Sequence, residues 1–154
     1  MQLFEFDSKR KKMSVIVKDL KTKEIFLFTK GAEDSIFSSC SSGNIGQCDK
    51  NITQFARLGW RTLAFSFRIL SNDELREYNR LLLEAYNNIS SRDLKINEAF
   101  KKIECGLTLV GATGIEDRLQ EDCGKTLETL RKAGIKIWVL TGDKKETALK
   151  FGEE

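Results

Sequence analysis

The 154-residue sequence predicts an α/β (α+β) fold, an antiparallel sheet with covering helices followed by a partial βαβ unit. Short runs rich in β-branched and aromatic residues at Met13–Lys18, Glu24–Thr29 and Arg61–Arg68 call for an antiparallel sheet in the first half. Segments with helical spacing lie between and after these runs. The tail has a different grammar: an apolar run over 107–111, an amphipathic stretch from about Gln120 to Ala133, and the almost wholly apolar Ile135–Leu140.

Taken in order, Leu3–Phe6 reads as a short strand, and Met13–Lys18 and Glu24–Thr29 as an antiparallel hairpin around the polar Lys18–Lys23 stretch. Ala32–Cys40 and Gln47–Leu58 read as helices separated by the turn-rich Ser41-Ser42-Gly43-Asn44, with Gly59 in the position that commonly follows a helix. In Arg61–Arg68, Thr62, Ala64, Ser66 and Arg68 alternate with Leu63, Phe65 and Phe67, the pattern of a half-buried strand. Ser71-Asn72-Asp73-Glu74 has capping-box character before a helix to about Asn88, its apolar stripe formed by Leu75, Tyr78, Leu82 and Tyr86. A second helix is expected over Asp93–Ile103. The change from antiparallel to parallel organisation places the domain boundary near residue 105, giving units of 1–104 and 105–154.

Composition narrows the chemistry. An apolar fraction of 40% and a charged fraction of 32% describe an ordinary globular domain. No apolar run approaches the roughly 20 residues that cross a bilayer, and Met1–Glu5 lacks signal-peptide organisation. The absence of histidine removes Ser-His and Cys-His nucleophiles and every histidine base. The four cysteines form no CxxC pair, so they read as reduced structural thiols rather than a metal centre. Asn51-Ile52-Thr53 and Asn88-Ile89-Ser90 match the glycosylation pattern but read as chance. The net charge of +3 conceals a basic run, Lys9-Arg10-Lys11-Lys12, open to four readings: a solvated face, a nucleic-acid patch, a membrane-surface patch or a phosphate site.

Three further features carry chemistry. Thr141-Gly142-Asp143 follows an expected buried parallel strand, where open α/β sheets place ligands, although the tripeptide equally suits a strand-to-helix turn with a cap. Lys30-Gly31-Ala32 lies where a strand gives way to a helix, so a glycine permits close approach and a lysine supplies a mobile charge for an anion, although by itself the tripeptide reads more readily as an exposed lysine before a helix cap. Phe6, with Arg10 and Lys11, offers an aromatic face and charge, although Phe6 suits a core equally well. Gly124-Lys125-Thr126 is not a Walker A motif, because Leu119 stands where the earlier glycine belongs.

Read together, Glu5–Val15, Lys30-Gly31-Ala32-Glu33, Gly59–Ala64, Gly111–Gln120 and Thr141-Gly142-Asp143-Lys144 resemble, in order and spacing, the P-type ATPases. The resemblance covers nearly the whole chain and is weakest over 71–104. At the hinge, Glu116-Asp117-Arg118-Leu119-Gln120 resembles the phospholipid flippases rather than the Asp-Pro-Pro-Arg of cation pumps. Gly114 stands where alanine is usual, and Asp122-Cys123-Gly124-Lys125 replaces a Gly-Val-Pro-Glu-like stretch.

The resemblance implies a nucleotide-binding domain joined to a partial haloacid-dehalogenase-like phosphorylation domain. It implies that Phe6 stacks on adenine, that Lys30 lines the pocket with Gly31 allowing close approach, and that Arg61 reaches the phosphates with Lys11 assisting. Thr141, Gly142 and Asp143 would surround the transferred phosphoryl group. Implied too are ATP and Mg2+, with the magnesium ligands mostly outside this sequence and no metal ligand within it. An aspartyl-phosphate would form in the whole pump, but the nucleophile's Asp-Lys-Thr-Gly-Thr motif is absent here, so this chain alone is not expected to turn over. The implied partners are the remaining pump domains and, through a membrane region, a phospholipid and an accessory beta subunit, with no nucleic acid. The implied location is the cytosolic side of a plasma-membrane or endomembrane protein. Two alternatives stand beside this: a haloacid-dehalogenase-like phosphatase, which lacks its DxD strand here, and a basic module binding nucleic acid or anionic lipid through Lys9–Lys12.

Overall fold

The computed structural model of the chain describes residues 1–88, 90–116, 120–138 and 140. They form two compact units, Met1–Cys48 with Leu63–Ala112, and Asp49–Thr62 with the described residues from Thr113 onward.

The first unit is built on a six-stranded sheet in the order β1-β2-β3-β5-β6-β4. Its strands are β1 (Gln2–Asp7), β2 (Lys12–Lys18), β3 (Ile25–Gly31), β4 (Cys40–Ser42), β5 (Arg61–Leu70) and β6 (Leu107–Ile115). β1, β2, β3 and β5 pair antiparallel, so the expected hairpin forms, with Ser14 opposite Thr29 and Ile16 opposite Leu27. Its turn is held by Asp19, whose carboxylate accepts from the Lys21 amide at 2.7 Å while its own amide donates to the Glu24 carbonyl at 2.9 Å. The short β4 lies parallel to β6, Cys40 opposite Leu107. This stretch reads as a helix end and a turn from sequence; the pairing with a strand more than 60 residues away overrides local propensity.

Helices α3 (Asn72–Tyr86) and α4 (Arg92–Ile103) supply the apolar faces that bury one side of the sheet. The capping box at the head of α3 is formed in full: the Ser71 hydroxyl accepts from the Glu74 amide at 3.1 Å, and Glu74 accepts from the Ser71 amide at 2.8 Å. Tyr78 is buried, as its spacing predicts, but Tyr86 is 55% exposed and Ala85 takes the inward position instead. The core comprises Phe4, Ile16, Ile25, Leu27, Leu70, Tyr78, Ala99, Ile103 and Leu107. Phe4 stacks on Phe100 with ring centroids 4.7 Å apart and tilts against Tyr78 at 5.1 Å. Each fully buried aliphatic side chain of this kind stabilises by about 1.5–3 kcal/mol relative to exposure.

Helix α2 (Ile45–Arg57), which belongs to the second unit from Asp49 onward, ends as its glycine predicts. Gly59 is left-handed at φ 79°, its amide donates to Ala56 and the Trp60 amide donates to Phe55, both at 3.0 Å. These bonds make a Schellman cap, and the Phe55 and Trp60 rings stack at 5.5 Å as its hydrophobic contact. Gly114 lies against that pair: a Cβ there would sit 2.9 Å from Phe55 and from Trp60. This ring pair leaves no room for the alanine that the family pattern favours.

α5 (Cys123–Lys132) falls where an amphipathic helix is expected. Residues 135–138 and 140, expected as a buried parallel strand, carry no strand assignment, and Trp138 and Leu140 are exposed. A central parallel strand needs partners on both edges and helices on both faces, and the described residues supply neither to this run.

Candidate functional site

Every second residue on the strands points to the face opposite the core, and there Phe26, Phe28 and Lys30 alternate along β3. Lys30 is exposed and lies between Met13 on β2 and Phe65 on β5. Phe28, beside it, lies opposite Val15 and Phe67, and its ring is 5.7 Å from Phe26 and 6.2 Å from Phe67. The result is a mobile cation at the end of an aromatic strip.

The candidate residues of the first unit converge on that strand end. Asp7, Lys12 and Gly31 form one cross-strand row, so Phe6 on β1, Lys30 on β3 and Lys11, in the turn just before β2, each adjoin that row in sequence. Strand spacing sets β1 and β3 roughly 10 Å apart. Phe6 is 64% exposed while Phe4 enters the core, which removes the core reading for Phe6. Lys11 is exposed and left-handed at φ 53°, its amide bonded to the Asp7 carbonyl at 2.6 Å and its carbonyl accepting from the Ala32 amide at 2.9 Å. Gly31 does permit a close approach, but to the chain itself: a Cβ there would lie 2.4 Å from the Lys11 carbonyl oxygen and 2.7 Å from the Lys12 Cα.

Helix α1 (Glu33–Phe37) is shorter than the expected Ala32–Cys40, and Glu33 and Asp34 already occupy its first turn. Those two carboxylates oppose the attraction of a helix start for an anion, so Lys30 is the charge that matters at this edge. Arg61 is exposed at the start of β5 and belongs to the second unit. Thr141, Gly142 and Asp143, with Asp117, Arg118 and Leu119 of the hinge, lie outside the described residues. Among the described residues, no three thiol or carboxylate side chains gather as a cation site would require.

Sequence reasoning missed a buried polar corner beneath this edge. Arg10 and Lys12, half of the basic run, turn inward to Glu104, whose carboxylate lies 2.6 Å from Arg10 and 3.7 Å from Lys12. Ser14 donates to Glu104 at 2.5 Å and shares a 2.9 Å hydrogen bond with Thr29. Burial pushes the Cys40 thiol up, against the opposing pull of Ser66 and Lys12. The period of two along β2 offered a signal, because Lys12 and Ser14 share the face of Ile16. Nothing local could have named Glu104 as their partner.

The P-type ATPase, cytoplasmic domain N, family matches residues 1–122. Phospholipid-transporting ATPase IH of Homo sapiens is 47% identical over 148 residues, which are 96% of this chain and 13% of that relative. Phospholipid-transporting ATPase 11C of Mus musculus is 41% identical over the same shares. Phospholipid-transporting ATPase 2 of Arabidopsis thaliana is 40% identical over 155 residues, 98% of this chain and 14% of the relative. The chain thus spans about one-eighth to one-seventh of the length of the relatives it matches.

Proposed function

The chain belongs to the P-type ATPase family as its cytoplasmic domain N, and from that premise we propose that it is the ATP-binding part of a phospholipid-translocating pump. The observation that carries this reading is the exposed Lys30 at the end of the aromatic strip, with exposed Phe6 on β1 and exposed Lys11 in the β1–β2 turn. An ammonium on a flexible stem suits a phosphate, and an exposed phenyl ring suits the face of adenine. Arg61 is assigned to the phosphates. Thr141, Gly142 and Asp143 are assigned to the phosphoryl group on its transfer to an aspartate of the whole pump. Magnesium travels with the nucleotide and takes its protein ligands from other parts of that pump.

The phospholipid assignment comes from relatives at 40–47% identity whose names carry that activity, together with the Glu116–Gln120 hinge sequence. The remaining pump domains, a lipid substrate and an accessory beta subunit belong to the same proposal, as does a cytosolic position on a plasma membrane or endomembrane. Among the described residues no helix is long and apolar enough to cross a membrane. Inward-turned Arg10 and Lys12 leave only Lys9 and Lys11 of the basic run exposed, which disfavours a polyanion patch.

Titration of the chain with ATP, followed by backbone amide shifts, tests the reading. Shifts at Phe6, Lys30 and Arg61, and weakening on the order of tenfold in Lys30→Ala, are expected. Saturating ATP that leaves those three amides unmoved would overturn it.

A further inference from the structure

We infer that Glu104 is a positioning residue for the nucleotide edge: through Arg10 and Lys12 it clamps the β1–β2 turn so that Lys11 and Phe6 are presented in one arrangement beside Lys30. This rests on the ATP-binding reading. The Glu104 side chain is fully buried at the end of α4, and the Arg10 and Lys12 side chains are only 8% and 11% exposed. One carboxylate therefore holds the residues on both sides of Lys11 from below. One oxygen takes bonds from Arg10 and Ser14; the other has no hydrogen bond and faces the Lys12 ammonium.

The two cations are tied down at their other sides as well. Arg10 donates to the Glu5 carbonyl at 2.9 Å, and its guanidinium lies over Phe100, 4.5 Å from the ring centroid. The Ser35 hydroxyl donates to the Arg10 carbonyl at 2.6 Å, and Lys12 donates to Ser39 at 2.7 Å. Between them Lys11 keeps a left-handed backbone, which for a non-glycine residue persists when its surroundings over-determine it. Its exposed side chain, like that of Phe6, is thus aimed by contacts it does not itself make.

Charge is an expensive way to hold a core together, since well-packed apolar residues of similar volume often stabilise as much or more. What the ion cluster supplies is direction: two bonds to one oxygen fix the turn at atomic positions that a greasy contact leaves free. The effect of Glu104 on ATP is therefore separable from its effect on stability.

The test measures ATP affinity of the 154-residue chain as wild type, as Glu104→Gln, and as the apolar replacement Arg10→Met/Lys12→Met/Glu104→Leu. The last keeps the experiment decisive where Glu104→Gln, with two unpaired buried cations, fails to fold. Each is combined with Lys11→Ala and with Lys30→Ala, at temperatures where melting curves show it folded. Positioning predicts ATP weakened on the order of tenfold, with Lys11→Ala losing its effect in these backgrounds while Lys30→Ala keeps its own. Glu104→Asp recovers part of the loss. Folded variants that bind ATP as wild type does, with Lys11→Ala fully effective, overturn the inference and leave the ATP reading standing. Wild type that binds no ATP overturns both.

Discussion

Along the inner face of one sheet the strands change character within two or four residues. Ile16, Leu27 and Leu70 are apolar, Ser14, Thr29 and Ser66 carry hydroxyls, and Lys12, beyond Ser14, is charged. The apolar end packs against α3 and α4 by non-directional contact, which many side-chain combinations would satisfy. The polar end is satisfied by few, because each donor must meet an acceptor in place. Stability is concentrated at the first end and position at the second, and it is the second that lies under the candidate nucleotide residues.

Breaking the polar end on one side is expected to have the largest effect. Glu104→Ala should lower unfolding stability by about 3–5 kcal/mol in denaturant titrations, because Arg10 and Lys12 would be left buried and unpaired. A loss below about 1 kcal/mol would mean the cations escape to water and the corner is not a clamp. Leu27→Ala, at the apolar end, is expected to cost about 2–5 kcal/mol while leaving ATP affinity of the folded protein unchanged. Loss of affinity in that variant would erase the distinction between the ends.

Smaller substitutions sharpen it. Gly114→Ala should cost about 1–3 kcal/mol by crowding Phe55 and Trp60, and Phe55→Leu in the same chain should restore part of it. Ser71→Ala removes the hydroxyl of the capping box and should cost about 1 kcal/mol in melting experiments. The smallest effect is one of pH. The Ser71 amide and Arg68 hold the Glu74 carboxyl below its usual value of 4.5, so its contribution is present above that value and fades as pH falls through the folded one. The stability difference between wild type and Glu74→Gln should accordingly shrink between about pH 5 and pH 3. A difference that stays constant would show that Glu74 titrates identically in both states.

Much of this architecture was legible from neighbours in sequence. Ser71 and Glu74 announce the start of α3, Gly59 announces the end of α2, and the β-branched runs give β2 and β3. All of these depend on residues within a few positions of one another, the range over which caps, turns and periodicity act. Lys30, Gly31 and Phe6 were marked by their resemblance to a family pattern, and that resemblance also supplied the family itself.

The amino-acid sequence alone therefore determined most of the elements, the hairpin and the family, but not the short β4 or the extent of α1. Tertiary structure decided which of two aromatic residues enters the core, Phe4 rather than Phe6, and why residue 31 has no side chain. It also divided the basic run, turning Arg10 and Lys12 inward and Lys9 and Lys11 outward. Each of those outcomes depends on a partner far along the chain, 94 residues for Arg10 and Glu104. A local pattern records that a residue is charged; only the folded chain sets the opposite charge beside it.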